Sequence, residues 1–164
     1  SENQKDRIRT FLDPTTDTRG KAWQTTQTKI AVGSGGFWGK GFRQGTQTQL
    51  SYLPENHTDF IFSLLAEEEG FVGSTVVLVV FALLFLRCLS LAIRSPDIAG
   101  TVLTMGSVMI IGVHVLINVA ITVGLLPVTG LPLPFFSYGG SFYLTTMMCF
   151  GTILGVHVRR RRFE

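Results

Sequence analysis

The chain divides near residue 70 into a polar, glycine-rich part and a mostly apolar part. Three apolar runs in the second part, at residues 71–93, 98–126 and 142–158, are long enough to cross the roughly 30 Å of bilayer hydrocarbon as helices. Each run must be helical, because lipid cannot hydrogen-bond to free backbone groups. The pattern predicts an all-α polytopic membrane protein, with a loop region at 1–70 and three transmembrane helices within 71–164.

The loop region contains no apolar run of spanning length, but it has segments that suit short interfacial helices. Residues 22–32 predict one such helix, with Trp23 as its anchor at the membrane surface. Residues 33–52 are rich in Gly, Gln and Thr and predict an irregular loop. A further helix is predicted to begin at Asp59, with Thr58 as its cap.

Three consecutive acids, Glu67 to Glu69, lie with Gly70 where this further helix should end. Carboxylates at the C-terminal end of a helix oppose its macrodipole, so this placement is locally unfavourable. We expect the acids to face water, and a functional role is the alternative.

Basic residues indicate how the chain is oriented in the membrane. The net charge is +3, and after residue 70 the arginines lie at two places: Arg87 and Arg94 near the end of the first run, and Arg159–Arg162 directly after the third. Short basic segments beside spanning helices favour the cytoplasmic side, whereas the loop 127–141 has no Lys or Arg. We therefore expect a cytoplasmic C-terminus, with residues 1–70 and 127–141 outside. The arginine tail indicates a membrane-surface anchor, not a nucleic-acid site.

Ionisable side chains cluster just before the first run, at Glu55, His57 and Asp59. Charge beside a bilayer is costly and usually functional. A general base must be ionised, which a helix N-terminus favours, and paired carboxylates are typical of glycosidic chemistry. The alternative for an isolated Asp59 is an ordinary first-turn residue. The cysteines, Cys88 and Cys149, lie inside apolar runs at a spacing that fits neither a metal site nor a disulfide framework.

Two turn-rich segments carry further candidates. Lys40 and Arg43 lie in the glycine-rich loop, where flexible backbone beside cations could bind pyrophosphate; a solvated loop is the alternative. Ser137 lies in a Pro- and Gly-rich segment that is either a re-entrant turn lining a cavity or a simple connection. His114 and Asn118, four residues apart on the second run, predict interhelical hydrogen bonds.

Six segments, in order along nearly the whole chain, resemble the SEDS family, the shape, elongation, division and sporulation proteins of bacteria. They are FLDP (11–14), IAVGSGGFWGKG (30–41), GTQ (45–47), LPENHTDFIF (53–62), AEEEGFVG (66–73) and GLLPVTGLPLPFFSYGGS (124–141). The GKG, GTQ and AEE forms are more similar to the elongation branch, RodA, than to the division branch, FtsW.

The resemblance implies a multi-pass glycosyltransferase of the bacterial inner membrane that polymerises lipid II, an undecaprenyl-pyrophosphate-linked disaccharide peptide, into glycan strands. It implies Asp59 as the catalytic residue and a class B penicillin-binding protein, a transpeptidase of the elongation machinery, as partner. No ligand spacing predicts a metal site, although a divalent cation could assist departure of the pyrophosphate.

The resemblance covers the C-terminal half of the family's domain, so we expect this half to be inactive when isolated. Three other functions stay open: an FtsW-like role in division, a lipid II flippase, and a scaffold that recruits the transpeptidase. A flippase or scaffold needs no general base, so the dependence of function on Asp59 distinguishes these two from a glycosyltransferase.

Overall fold

A computed structural model describes residues 21–41, 44, 60–95 and 97–160. These residues form five α-helices and no β-strand: α1 (Lys21–Gly35), α2 (Ile61–Glu68), α3 (Gly70–Ile93), α4 (Ile98–Val123) and α5 (Gly140–Arg160). The all-α prediction is confirmed for this part of the chain.

Three of the helices are long and apolar enough to cross a membrane. Helices α3, α4 and α5 contain 24, 26 and 21 residues. At 1.5 Å per residue they are about 36, 39 and 32 Å long, which matches the roughly 30 Å of hydrocarbon. Helix α3 continues unbroken through Arg87, whose side chain is exposed. The chain is therefore a multi-pass membrane protein, as the apolar runs predict.

Helix α4 is the centre of the bundle and packs between α3 and α5. Its buried residues recur every three or four positions along one face: Gly100, Thr104, Ser107, Ile111, Val115, Asn118 and Thr122. Small and polar side chains on this face let helices approach closely and hydrogen-bond across their contact, which is how spanning helices associate in lipid. The hydroxyls of Ser107 and Thr152 are 3.0 Å apart and link α4 to α5.

Helices α1 and α2 pack against each other at one end of this bundle, beside the start of α3 and the end of α4. At the opposite end, a Cβ placed on Gly100 would lie 3.0 Å from Cγ1 of Val156, so α4 begins where α5 is ending. The glycine-rich loop and the loop before α5 thus share one face, which agrees with the sequence. Which side of the membrane that face occupies stays a prediction.

Two helix boundaries differ from those predicted. Helix α1 confirms that residues 22–32 are helical but extends to Gly35, so residues 33–35 are helical and not irregular. Its interfacial position stays a prediction. Helix α2 begins at Ile61, and Phe60 occupies the N-cap without a side-chain capping bond. The start lies two residues later than predicted because Phe60, with φ −112° and ψ 19°, is not helical and buries its ring. Thr58 lies outside the described residues.

Candidate functional site

The glycine-rich loop after α1 is tied to the α2–α3 junction by backbone hydrogen bonds. The amides of Lys40 and Gly41 donate to the carbonyls of Glu67 and Glu68, at 3.1 and 3.0 Å. In return the Phe71 amide donates across the same contact to a carbonyl of the loop, Gly36, at 3.0 Å. A segment predicted as irregular is therefore held in a fixed conformation.

Glycine is required at two positions of this contact. Gly39 and Gly70 have φ values of +77° and +68°, which L side chains rarely adopt. A Cβ on Gly39 would collide with the backbone of Glu68, and one on Gly70 would meet the backbone carbon of Trp38 at 2.8 Å. The two backbones can approach this closely only because both residues lack side chains.

A buried ion pair closes the same contact. The Lys40 ammonium lies 2.7 Å from Oε1 of Glu67. The Glu67 side chain has no exposed surface, whereas that of Lys40 is 27% exposed. The Ser34 hydroxyl, at the end of α1, donates to the same oxygen at 3.4 Å. The pair connects α1, the loop and α2 through one carboxylate.

The expectation that all three acids face water is wrong for Glu67. Glu69 is exposed and Glu68 is half-buried, but Glu67 turns inward to meet Lys40. Pairing with a cation compensates the loss of hydration that burial imposes on a carboxylate.

The residues directly after Asp59 are anchored in the core. Phe60 is 2% exposed and packs with Ile121 of α4, and Val128 lies against them. Two residues on, Phe62 belongs to the main core cluster together with Leu133. The chain next to Asp59 is therefore fixed against the end of α4 and the loop that follows it. Asp59 itself, with Glu55, His57 and Arg43, lies outside the described residues.

The loop before α5 turns back into the protein. Leu133 is 1% exposed and packs with Phe62, Phe81 and Val115. The Asn118 side-chain amide, fully buried on α4, donates to the Leu131 carbonyl at 2.7 Å. The insertion matches the re-entrant turn of the two predicted alternatives, whereas the expectation that this turn lines a cavity stays a prediction.

Ser137 closes this turn. Its hydroxyl accepts a hydrogen bond from the Leu133 amide at 2.7 Å, and its own amide donates to the Leu133 carbonyl at 3.0 Å. Phe135 between them has φ +67°, a left-handed conformation that is unusual for a residue with a Cβ. Ser137 thus has a structural role, and its contact with substrate stays a prediction.

The hydrogen bonds that the structure describes for His114 and Asn118 do not join neighbouring helices. Nδ1 of His114 lies 2.8 Å from the Ile110 carbonyl in its own helix, while its ring packs 4.9 Å from that of Phe142 on α5. The Asn118 side-chain amide donates to the Leu131 carbonyl in the loop that follows α4. Both side chains thus contact elements outside α4, His114 through its ring and Asn118 through a hydrogen bond.

A cavity of about 300 Å³ opens between the first four helices. Its lining is mostly apolar and includes Val32, Phe62, Ala66, Leu78 and Val119. The cavity suits an apolar group, and it is bounded by the start of the glycine-rich segment and by α2. The loop at 131–141 does not line it but meets α2 through Leu133.

Sequence reasoning missed Lys29. Its side chain crosses Gly124 so closely that a Cβ there would lie 2.7 Å from Nζ. Gly124 is the left-handed C-cap of α4, so the ammonium lies at the negative end of the helix dipole. Gly124 lies one helical turn beyond Ile121, and Ile121 contacts Phe60. No local motif marks Lys29, because its position depends on how α1 packs on α4.

Metal ligands are not assembled in the described part of the chain, where no group of three or more His, Cys, Asp or Glu side chains could hold an ion. Glu55, His57 and Asp59 are not among the residues searched. A divalent cation stays an untested expectation.

Comparison with known proteins yields consistent matches. Residues 1–162 match the model of the FtsW/RodA/SpoVE family, described as cell cycle proteins. The chain is 45% identical over 158 residues to the peptidoglycan glycosyltransferase MrdB of Escherichia coli, covering 96% of this chain and 43% of MrdB. It is 42% identical over 150 residues to a probable peptidoglycan glycosyltransferase FtsW of Trichlorobacter lovleyi, covering 92% of this chain and 39% of that protein.

Among solved structures, a chain of a peptidoglycan synthase complex, studied for its coordination of polymerisation and crosslinking, superposes with a TM-score of 0.77 at 33% identity. The match covers 98% of this chain and 43% of that one. The sequence thus spans less than half the length of these relatives, and its similarities to RodA-type and FtsW-type proteins are too close to separate the two branches.

Proposed function

The chain belongs to the FtsW/RodA/SpoVE family of cell cycle proteins, and from this we propose that it forms part of a peptidoglycan glycosyltransferase that polymerises lipid II. We place the protein in the bacterial inner membrane with a cytoplasmic C-terminus. A class B penicillin-binding protein is the proposed partner, which is consistent with the similarity to a chain of a peptidoglycan synthase complex.

The observation that best supports this proposal is the anchoring of the residues after Asp59. Phe60 and Phe62 are both buried, against the end of α4 and the inserted turn. A catalytic group gains most when a rigid scaffold holds it in position. Asp59 is covalently joined to such a scaffold, at the face shared by the glycine-rich loop and the loop before α5.

The proposed reaction is an inverting glycosyl transfer. Asp59, as general base, accepts the proton of the acceptor sugar's 4-hydroxyl while that oxygen attacks the anomeric carbon of the lipid-linked donor. The bond from this carbon to the polyprenyl pyrophosphate breaks, and the pyrophosphate leaves with the bonding electrons. Cations beside the leaving group stabilise its developing charge.

Three cations are candidates for stabilising the leaving group. Lys40 and Arg43 follow from the sequence, and Lys29 follows from its position over Gly124, at the end of α4 against which Phe60 packs. Lys40 also pairs with Glu67, so Lys40 has a structural function besides the proposed contact with the leaving group. Glu55, His57 and Ser137 remain candidates for binding the sugar or peptide part of the substrate.

Replacement of Asp59 by Asn in the full-length protein tests the proposal. Asn has nearly the same shape but cannot accept the proton, so glycan-strand formation in reconstituted membranes with the partner transpeptidase should fall by about two to four orders of magnitude. Asp97→Asn is the matched control, since Asp97 is exposed at the opposite end of the bundle. It should leave polymerisation unchanged.

The rival functions predict other results. If Asp59→Asn polymerises normally, the general-base role is wrong. A flippase would then be recognised by transbilayer movement of a fluorescent lipid II analogue in vesicles, and a scaffold by transpeptidase recruitment without either activity.

A further inference from the structure

Three large aromatic side chains form an exposed cluster beside the glycine-rich loop. Phe37, Trp38 and Phe71 are 62%, 81% and 61% exposed. The ring of Phe37 contacts both others, with centroids 6.1 Å from Trp38 and 5.6 Å from Phe71. Contiguous exposed apolar surface of this kind usually marks an interaction site.

The backbone beneath the cluster is held in place. The Phe71 amide donates to the Gly36 carbonyl at 3.0 Å, and the Val72 amide to the Phe37 carbonyl at 3.3 Å. Gly70 lies directly against the backbone of Trp38. The rings are therefore presented to the outside by a fixed turn, and their exposure does not come from a loosely packed loop.

The cluster stands at the level where a bilayer ends. Phe71 is the second residue of α3, whose 24 residues are about 36 Å long, compared with roughly 30 Å of hydrocarbon. The first turn of α3 therefore lies at the boundary between acyl chains and headgroups. Trp and other amphipathic aromatic residues concentrate at this level, with the ring in apolar surroundings and the indole N–H near water.

The surface next to the aromatic cluster also fits contact with lipid. Beyond Phe71, α3 carries further exposed apolar side chains into the span, among them Val79 and Leu83, which are 50% and 57% exposed. Of the charged residues beside the cluster, Lys40 and Glu67 pair with each other, whereas Glu69 is exposed before the start of α3. An aromatic surface with a spanning helix on one side and an exposed carboxylate on the other matches the boundary at which acyl chains meet hydrated headgroups.

We propose that Phe37, Trp38 and Phe71 form a rigid aromatic anchor that sits in the headgroup–acyl boundary of the bilayer and fixes the height of the glycine-rich loop above the membrane. This anchor is distinct from Trp23, the residue that the sequence suggests for that task. The proposed anchor does not depend on any reaction at Asp59, so it can be tested separately from the proposed glycosyl transfer.

Site-specific photo-crosslinking tests the anchor. The photoreactive residue p-benzoylphenylalanine, itself aromatic, replaces Trp38 in the full-length protein in vesicles of phosphatidylethanolamine and phosphatidylglycerol. A second variant carries it at Phe37, in case the first does not fold. Leu83, which is 57% exposed near the middle of α3, is the control within the span. After illumination, adducts are identified by mass spectrometry.

We expect phospholipid adducts at positions 37 and 38 in yields of the same order as at position 83. An adduct with protein, whether another segment of the same chain or an added partner, would show that the cluster is a protein interface and overturn the proposal. Absence of any adduct at both positions, with normal labelling at position 83, would place the rings in water and overturn it equally.

Discussion

Glu67 has no exposed surface and lies 2.7 Å from the Lys40 ammonium, although 27 residues separate the two in sequence. The pair is asymmetric, since the Lys40 side chain reaches solvent and the Glu67 side chain does not. Removing one partner of a buried pair leaves an uncompensated charge, which is strongly destabilising. The loss of stability should therefore depend on which partner is removed.

Lys40→Met is predicted to destabilise more than Glu67→Gln. The first change leaves a buried carboxylate without its cation, at a cost of about 3–5 kcal/mol, while the second leaves an ammonium that water can still reach. The double variant Lys40→Met/Glu67→Gln should recover part of the loss. Thermal unfolding of the detergent-solubilised protein would measure all three, and equal losses in the two single variants would contradict the asymmetry.

Gly39→Ala is predicted to destabilise clearly more than Gly36→Ala. Both positions have positive φ, +77° and +59°, so each substitution adds about 1–2 kcal/mol of conformational strain. Only the Cβ at Gly39 meets the backbone of Glu68, whereas that at Gly36 has nothing within 4 Å. Because both variants share the conformational strain, the difference between their stabilities measures the cost of the close backbone contact. Equal unfolding temperatures for the two variants would mean that the contact is unimportant.

Asn118→Leu should loosen the turn before α5 without unfolding the bundle. The substitution removes the side-chain amide that binds the Leu131 carbonyl, at a cost of about 1–3 kcal/mol. Hydrogen exchange measured by mass spectrometry should become faster in peptides covering residues 127–139. Ser107→Ala, which removes the contact with Thr152 between α4 and α5, is the control and should leave that exchange unchanged.

Cysteine labelling of intact cells should react at position 138 and not at position 94. Tyr138 is 85% exposed on the face shared with α2, and Arg94 lies at the opposite end. The arginine distribution predicts that the first face is outside. Cys88 and Cys149 are buried, and replacing both by Ala removes background reaction. Labelling at 138 only after permeabilisation would reverse the orientation.

Features that depend on neighbouring residues in sequence could be predicted, and those that depend on distant ones could not. The three apolar runs gave spans whose bounds agree within a few residues, because spanning length and hydropathy are local properties. The burial of Glu67 could not be foreseen, because its partner Lys40 is brought there by the packing of α1 on α2.

In the candidate site, too, some features could be predicted from the sequence and others could not. The segment around Asp59 was identified from charge beside a membrane and from the family's motif, both visible in sequence. The position of Lys29 over Gly124 depends on where α1 crosses α4, and nothing in the sequence near Lys29 encodes that crossing. For the same reason the sequence does not decide between the two alternatives for the turn formed by Leu133 and Ser137, because its insertion depends on Phe62, Phe81 and Val115.

The burial of Leu133 has a consequence for how the chain is made. Its contacts lie on α2, α3 and α4, all of which are synthesised before it. While these helices enter the bilayer one after another, the space that Leu133 fills is still open, and Asn118 still lacks the Leu131 carbonyl. Their packing can become complete only once the loop ahead of α5 has emerged and folded back. The loop before α5 thus sets the earliest point in biogenesis at which the chain beside Asp59 becomes rigid.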